Sequence, residues 1–231
     1  METRAHTPLP PLRPDLAGWT IGRARATHLN ASLDHDGKRY HLKWHRHGRW
    51  RNPARTEWRN AARLARLDVP SVTAIGWGRH RSGTFIVLAH AGGRQANHWW
   101  AAQPDRSAAR RFCRVLAGWA ARLHDANLCH RDLNVYHVLV DGDTLRLIDL
   151  GRVLRFSRYR ARRWIVKDLA ALLDSARREG FPDDLARAFL RDYLRATRRA
   201  WRRRRLLAAV ARKAARYTRH NRKKEARGEV P

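Results

Sequence analysis

The stretch HDANLCHRDLNVYHVLVDGDTLRLIDLGRV, residues 124–153, carries most of the groups in this chain that could do chemistry. Val138–Val140 and Thr144–Ile148 are short apolar runs, and the Asp141-Gly142 pair between them is a strong hairpin signal. A hairpin brings the start of its first strand beside the end of its second. Asp132, just before the first run, and Asp149, just after the second, therefore fall at one end, with His130, Arg131, Asn134 and His137 around them. Two carboxylates in such a place suit phosphoryl transfer: one can orient an acceptor hydroxyl and take its proton, while the other can hold a Mg²⁺ that bridges nucleotide phosphates. The plainer alternative is that both aspartates cap turns, positions that Asp favours.

The elements that must position these groups can be read on either side. Pro8, Pro10, Pro11 and Pro14 make residues 1–18 an irregular leader. Residues 19–44 read as strands: Asp34 to Gly37 is a turn cluster, and beyond it Tyr40, Leu42 and Trp44 alternate with Arg39, His41 and Lys43. A helix should begin near Pro53, with Trp58, Ala61, Ala62 and Ala65 at helical spacing. Strands follow around Val72–Trp77 and Thr84–Ala89, and Gly92-Gly93 reads as a hinge. The remainder is mainly helical, with helices over 105–126, 161–179, 183–196 and 200–218. The first of these carries the stripe Phe112, Val115, Leu116, Trp119 and Leu123.

Lys and Arg number 50 against 20 acidic residues, a net charge of +30, which calls for an anionic partner. Residues 195–227 alone hold fifteen Lys or Arg and one acid, Glu225. On a helix there, Leu206, Leu207 and Val210 share one face that can dock on the other helices while the arginines face outward. Their charge would hold the protein against an anionic membrane surface or against phosphates of an acceptor. Nucleic acid is the competing partner, through nonspecific phosphate contacts. No apolar run approaches the roughly 18 to 20 residues of a membrane span. Cys113 and Cys129 suggest no disulfide framework, and reduced thiols fit a cytoplasmic protein.

His130-Arg131-Asp132 resembles the catalytic HRD of protein-kinase-like folds, and Asp149-Leu150-Gly151 resembles their DFG. The resemblance implies an α+β fold of two lobes, a small β-rich N-lobe over 19–91 and a helical C-lobe over 92–197, followed by a basic helix and tail over 198–231. It assigns Lys43 to the nucleotide phosphates and Glu57 to pairing with that lysine. Asp132 becomes the group that orients the acceptor hydroxyl, with Arg131 and His130 beside it in the catalytic set and His130 bracing the loop, and Asp149 the metal ligand. His137 in place of the usual Asn, together with Lys167-Asp168-Leu169 after the metal aspartate, is similar to the lipopolysaccharide core (heptose/Kdo) kinases. This implies ATP and Mg²⁺ as cofactors, a lipopolysaccharide core sugar or other phosphorylated sugar as acceptor, and a cytoplasmic enzyme held peripherally at the inner membrane. His137 is then a second metal ligand or a hydrogen-bonding group, and Asn134 can take part in binding the nucleotide. Lys167 and Asp168 read as an internal ion pair that buttresses the loop, and Trp99 or Trp100 as lining for a substrate cleft. Residues 19–33 contain no GxGxxG run, only Gly22 followed by Arg23 and Arg25, so phosphate cradling falls to other backbone or to arginine. The absence of an APE motif and of a long activation segment disfavours a protein substrate. The competing functions are a small-molecule kinase, acting on a sugar or antibiotic, and a basic nucleic-acid-binding pseudokinase.

Overall fold

The structure, a computed structural model, describes residues 2–5, 18–46, 52–102 and 104–228. It divides into two compact units, one of residues 1–92 with 148–151 and one of residues 93–147 with 152–231.

The first unit holds β1 (Glu2–Ala5), β2 (Thr20–Ala24), β3 (His28–His35), β4 (Lys38–His45), α1 (Pro53–Ala65), β5 (Ala74–His80) and β6 (Gly83–Ala89). The six strands form one sheet in the order β1-β5-β6-β4-β3-β2. The β3–β4 hairpin turns on Asp36 and Gly37, both at positive φ (50° and 68°), a conformation that Asp and Gly adopt readily. β4 alternates as its pattern requires. Leu42 and Trp44 are buried in a core with Leu29, Ala31, Phe85 and Val87, and Tyr40 packs against it. This sends Lys43 to the opposite face. Gly83 is obligatory in the β5–β6 turn, because at φ +152° a Cβ would lie 2.0 Å from the His45 carbonyl oxygen. Glu2–Ala5 is an edge strand paired antiparallel with β5, where the proline-rich start of the chain reads as irregular; the rest of that leader, residues 6–17, lies outside the described residues.

Asn52 caps α1 by accepting from the Arg55 amide (2.8 Å), and Pro53 opens the helix. The buried face is Ala54, Glu57, Asn60 and Leu64, not the Trp58/Ala61/Ala62/Ala65 stripe that the spacing suggests. Those four residues line a shallow groove beside Val69 and Val72. The buried side carries the polar groups Glu57 and Asn60, each with a specific partner.

The second unit holds β7 (Arg94–Gln95), α2 (Ala96–Ala101), α3 (Arg106–Asp125), β8 (Leu128–Cys129), β9 (Val138–Asp141), β10 (Thr144–Leu147), β11 (Leu154–Arg155), α4 (Ala161–Arg178), α5 (Asp183–Ala196) and α6 (Arg203–Glu225). Asp105 caps α3 through the amides of Ser107 and Ala108. Phe112, Leu116, Trp119 and Leu123 bury their stripe, whereas Val115 is exposed. Gly93 has φ +74°, and a Cβ there would come within 2.6 Å of the Val140 carbonyl, so the approach of this segment to β9 needs glycine. α6 packs on α4 through Leu206, Val210 and Ala214, a face at i, i+4 and i+8, with Leu207 at its margin. Thr218 and Asn221 donate to the buried Asp174 of α4 at 2.7 and 2.9 Å, which carries the helix to Glu225, seven residues beyond the expected end. Cys113 and Cys129 are free and buried, and burial pushes their thiols up to about 11 and about 12. Among the described residues no helix is long and apolar enough to cross a membrane.

Candidate active site

In the first unit, β4 aims Lys43 at the buried face of α1. Its Nζ lies 2.7 Å from Oε1 of Glu57 and 3.4 Å from Oδ1 of Asp149. Glu57 is 1% exposed, so its charge is tolerable only with such a partner. Burial alone pushes the Lys43 ammonium down, but the Glu57 and Asp149 carboxylates outweigh it and hold the group above the ordinary lysine value. Asp149 sits at φ 55°, in the left-handed region that Asp tolerates better than most side chains. Asn60, which carries no motif, secures the same segment by donating to the Leu150 carbonyl at 2.8 Å. Buried polar residues on an otherwise apolar helix face are the signal that could have found it. His45, two residues from Lys43 on the same face, is pushed down to about 4, first by burial and then by the Lys43 charge, so it is a neutral imidazole.

In the second unit, the β9–β10 register pairs Asp141 with Thr144 and Val138 with Leu147, so the chain enters and leaves this hairpin at the same end. Asp132 lies six residues before β9, and Asp149 follows β10 by two. The loop between β8 and β9 hangs on α4. Asp168, fully buried, accepts from the His130 amide at 2.7 Å and the Arg131 amide at 2.9 Å, and His124 stands 3.4 Å from it. Ser175 receives the Val135 amide at 3.1 Å. Arg131 is held at φ 63°, a strained position for a residue other than Gly, Asn or Asp, beside a candidate catalytic group. The Lys167–Asp168 ion pair is not formed: Lys167 lies over the Trp164 ring at 5.6 Å, and Asp168 spends its oxygens on backbone amides. The buttress is real, but its partners are main-chain groups that sequence spacing does not reveal.

Asp132 projects from this braced loop, with Oδ1 accepting from Asn134 at 3.3 Å and Oδ2 at 3.9 Å from Arg152. Asn134 thus bonds the carboxylate, while its own Oδ1 is buried without a hydrogen-bond partner. His137 donates from Nδ1 to the Asp132 carbonyl oxygen at 2.8 Å, which leaves the lone pair on Nε2. His130 is buried with its ring tilted against that of His137, centroids 5.4 Å apart. Trp99 and Trp100 are packing residues, stacked on Phe112 and Phe181 at 5.2 and 4.2 Å. The structure thus brings Lys43, Glu57 and Asp149 together in one unit, and His130, Arg131, Asp132, Asn134 and His137 together in the other.

Carboxylate oxygen suits a hard cation, and Asp149, part-exposed and already beside one cation, fits a Mg²⁺ ligand. The first unit therefore offers a salt-bridged lysine and a carboxylate suited to metal, and the second a braced carboxylate for a hydroxyl; these are the kinds of part that phosphoryl transfer needs.

The family model for "Lipopolysaccharide kinase (Kdo/WaaP) family" matches residues 25–193, a span that contains every one of these groups. Lipopolysaccharide core heptose(I) kinase WaaP of Pseudomonas aeruginosa is 29% identical over 190 residues, covering 69% of this chain and 71% of that protein. Among solved structures, WaaP in complex with acyl carrier protein matches with a TM-score of 0.66 and 29% identity, over 85% of this chain and 88% of that one. Aminoglycoside-3'-phosphotransferase of type VIII matches with a TM-score of 0.57 at 20% identity, over 86% of this chain and 94% of that one, a likeness of fold. The α+β, protein-kinase-like fold and the paired constellations agree with the sequence match, and the chain belongs to the lipopolysaccharide kinase (Kdo/WaaP) family.

Proposed function

We propose that this kinase transfers the γ-phosphoryl group of ATP to a hydroxyl of a lipopolysaccharide core sugar, a heptose or Kdo. The observation that carries the reading is the Lys43–Glu57–Asp149 ion cluster. A buried glutamate that fixes a lysine beside a metal-suited carboxylate serves a polyphosphate better than it serves stability, because such pairs seldom stabilise a fold on balance.

In this reading Lys43 contacts the nucleotide phosphates and Glu57 holds its ammonium in place. Asp149 would hold Mg²⁺, with His137 as the further candidate; when bound, the ion neutralises charge on the phosphate oxygens. Asp132 orients the acceptor hydroxyl. The sugar oxygen forms its bond to the γ-phosphorus as the bond to the β,γ-bridging oxygen breaks, ADP leaves, and Asp132 receives the hydroxyl proton. Asn134 keeps one Asp132 oxygen turned in a fixed direction, so the other is presented to the acceptor. Asp168 supplies rigidity by fixing the His130 and Arg131 amides. We infer that the acceptor, being lipid-linked, is met at the cytoplasmic face of the inner membrane.

The test is ATP turnover by the purified chain with Mg²⁺, with and without extracted lipopolysaccharide lacking core phosphate. Labelled phosphate should move to the lipopolysaccharide, and fragmentation should assign it to a heptose or Kdo. Transfer to soluble aminoglycosides or free sugars in preference to lipopolysaccharide, or ATP hydrolysis without transfer, would overturn the assignment.

A further inference from the structure

The second unit contains a cavity of about 600 Å³ between the start of α3, the length of α5 and the start of α6, away from the catalytic loop. Its charge is lopsided: Arg106, Arg110, Arg187, Arg191 and Arg203 line it against one carboxylate, Asp184. Arg106 pairs with Asp184 at 2.5 Å and Arg110 with Asp192 at 3.2 Å. The side chains of Arg187, Arg191 and Arg203 make no hydrogen bond or ion pair to the described residues, and all three are exposed. Nη1 of Arg110 is buried without a hydrogen-bond partner, an expensive state for a charged donor. Like charges gathered around one concavity repel each other and focus a positive potential, and an anion in the cavity relieves both costs.

α6 asks for the same charge independently. It is 23 residues long, begins at Arg203, has no side-chain cap and has no acidic residue in its first turn. Its first residues are instead arginines, which oppose the positive end of the helix dipole. The unsatisfied amides of that turn and the cavity arginines thus favour an anion in the same region.

The lining also indicates the kind of anion. Guanidinium forks match phosphate oxygens in pairs. Leu190, Leu194 and Leu207 line the cavity beside them, so the ligand has an apolar part. No aromatic side chain lines it, which leaves nothing for a nucleobase to stack on. We propose that this cavity binds the phosphate of an anionic phospholipid, with the arginines taking the phosphate oxygens and the leucines the adjoining carbon chain. It anchors the second unit to the membrane at a defined site, through α3, α5 and the start of α6, rather than by diffuse charge along the basic C-terminus.

The experiment compares the full chain with two triple variants of equal charge. R187Q/R191Q/R203Q removes the three unpaired cavity arginines; R212Q/R216Q/R219Q removes three exposed arginines of α6 outside the cavity. Cosedimentation is measured with vesicles of phosphatidylcholine alone and with added phosphatidylglycerol. The cavity triple should lose at least about tenfold in affinity for the anionic vesicles and the control triple less than about threefold. The single variant Arg187→Gln, at an exposed position, should move the same way by a smaller factor and guards against misfolding of the triple. Equal losses in both triples, or none in the cavity triple, would overturn the site. Inorganic phosphate that raises the melting temperature of the parent but not of the cavity triple, without any vesicle preference, would assign the cavity to free phosphate and overturn the lipid source. Tighter binding to a single-stranded oligonucleotide than to anionic vesicles, lost in the cavity triple, would overturn the lipid in favour of nucleic acid.

Discussion

Replacing Lys43 by methionine should destabilise the protein as well as inactivate it, and the size of the effect follows from Glu57. Methionine fills nearly the volume of the lysine stem, so packing is preserved while the charge 2.7 Å from Oε1 disappears. Glu57 is 1% exposed and is then left as a buried carboxylate with no cation bonded to it. Breaking such a pair from one side costs about 3–5 kcal/mol. For a chain of this size each kcal/mol lowers the melting temperature by roughly 2–4 °C, so the variant should melt on the order of 10 °C below the parent. The double variant K43M/E57Q removes both charges and should recover much of that loss, because the cost lies in the stranded carboxylate and not in the missing attraction. The assay is thermal melting of the parent, both single variants and the double variant at neutral pH, analysed as a double-mutant cycle. Two outcomes would refute the reasoning: K43M as stable as the parent, or K43M/E57Q less stable than K43M.

The remaining expectations concern the reaction, the loop and the thiols. Asp132→Asn should leave ATP binding nearly intact and lower phosphoryl transfer by roughly 10²-fold or more, measured as label incorporated into lipopolysaccharide; normal turnover would remove Asp132 from its role. Asp149→Ala should abolish Mg²⁺-dependent ATP binding in a titration with and without the ion, whereas unchanged Mg²⁺ dependence would mean that another group holds the metal. Asp168→Ala orphans two backbone amides and should cost about 2–5 kcal/mol in chemical denaturation, together with transfer activity. Cys113 and Cys129, pushed up to about 11 and about 12, should resist alkylation at pH 8 until the chain unfolds. Both thiols remain protonated in the folded protein while the unfolded chain ionises above about pH 8.5, so the fold should lose stability as pH rises from there.

How far the sequence was legible depends on whether the information was local. The Asp141-Gly142 hairpin, the Asp36-Gly37 turn and the Asp105 cap are written in a few adjacent residues, and their geometry follows from those residues alone. The HRD and DLG stretches and the Lys43–Glu57 pairing were also legible, because these spacings recur wherever this constellation is built. What could not be read were positions whose meaning lies in a partner far along the chain. Asn60 is an unremarked residue in a helix until Leu150, ninety positions later, supplies the carbonyl it holds. Asp168 invites pairing with its neighbour Lys167, yet its partners are amides about forty residues upstream. β1 forms in a proline-rich segment because the edge of β5 offers it hydrogen bonds. α6 outruns its apolar pattern because Asp174 reaches its last turns. The basic C-terminus shows the same boundary from the other side. Composition announces an anionic partner, but only the meeting of α3, α5 and α6 gathers five arginines around one cavity and separates a site from a merely charged surface.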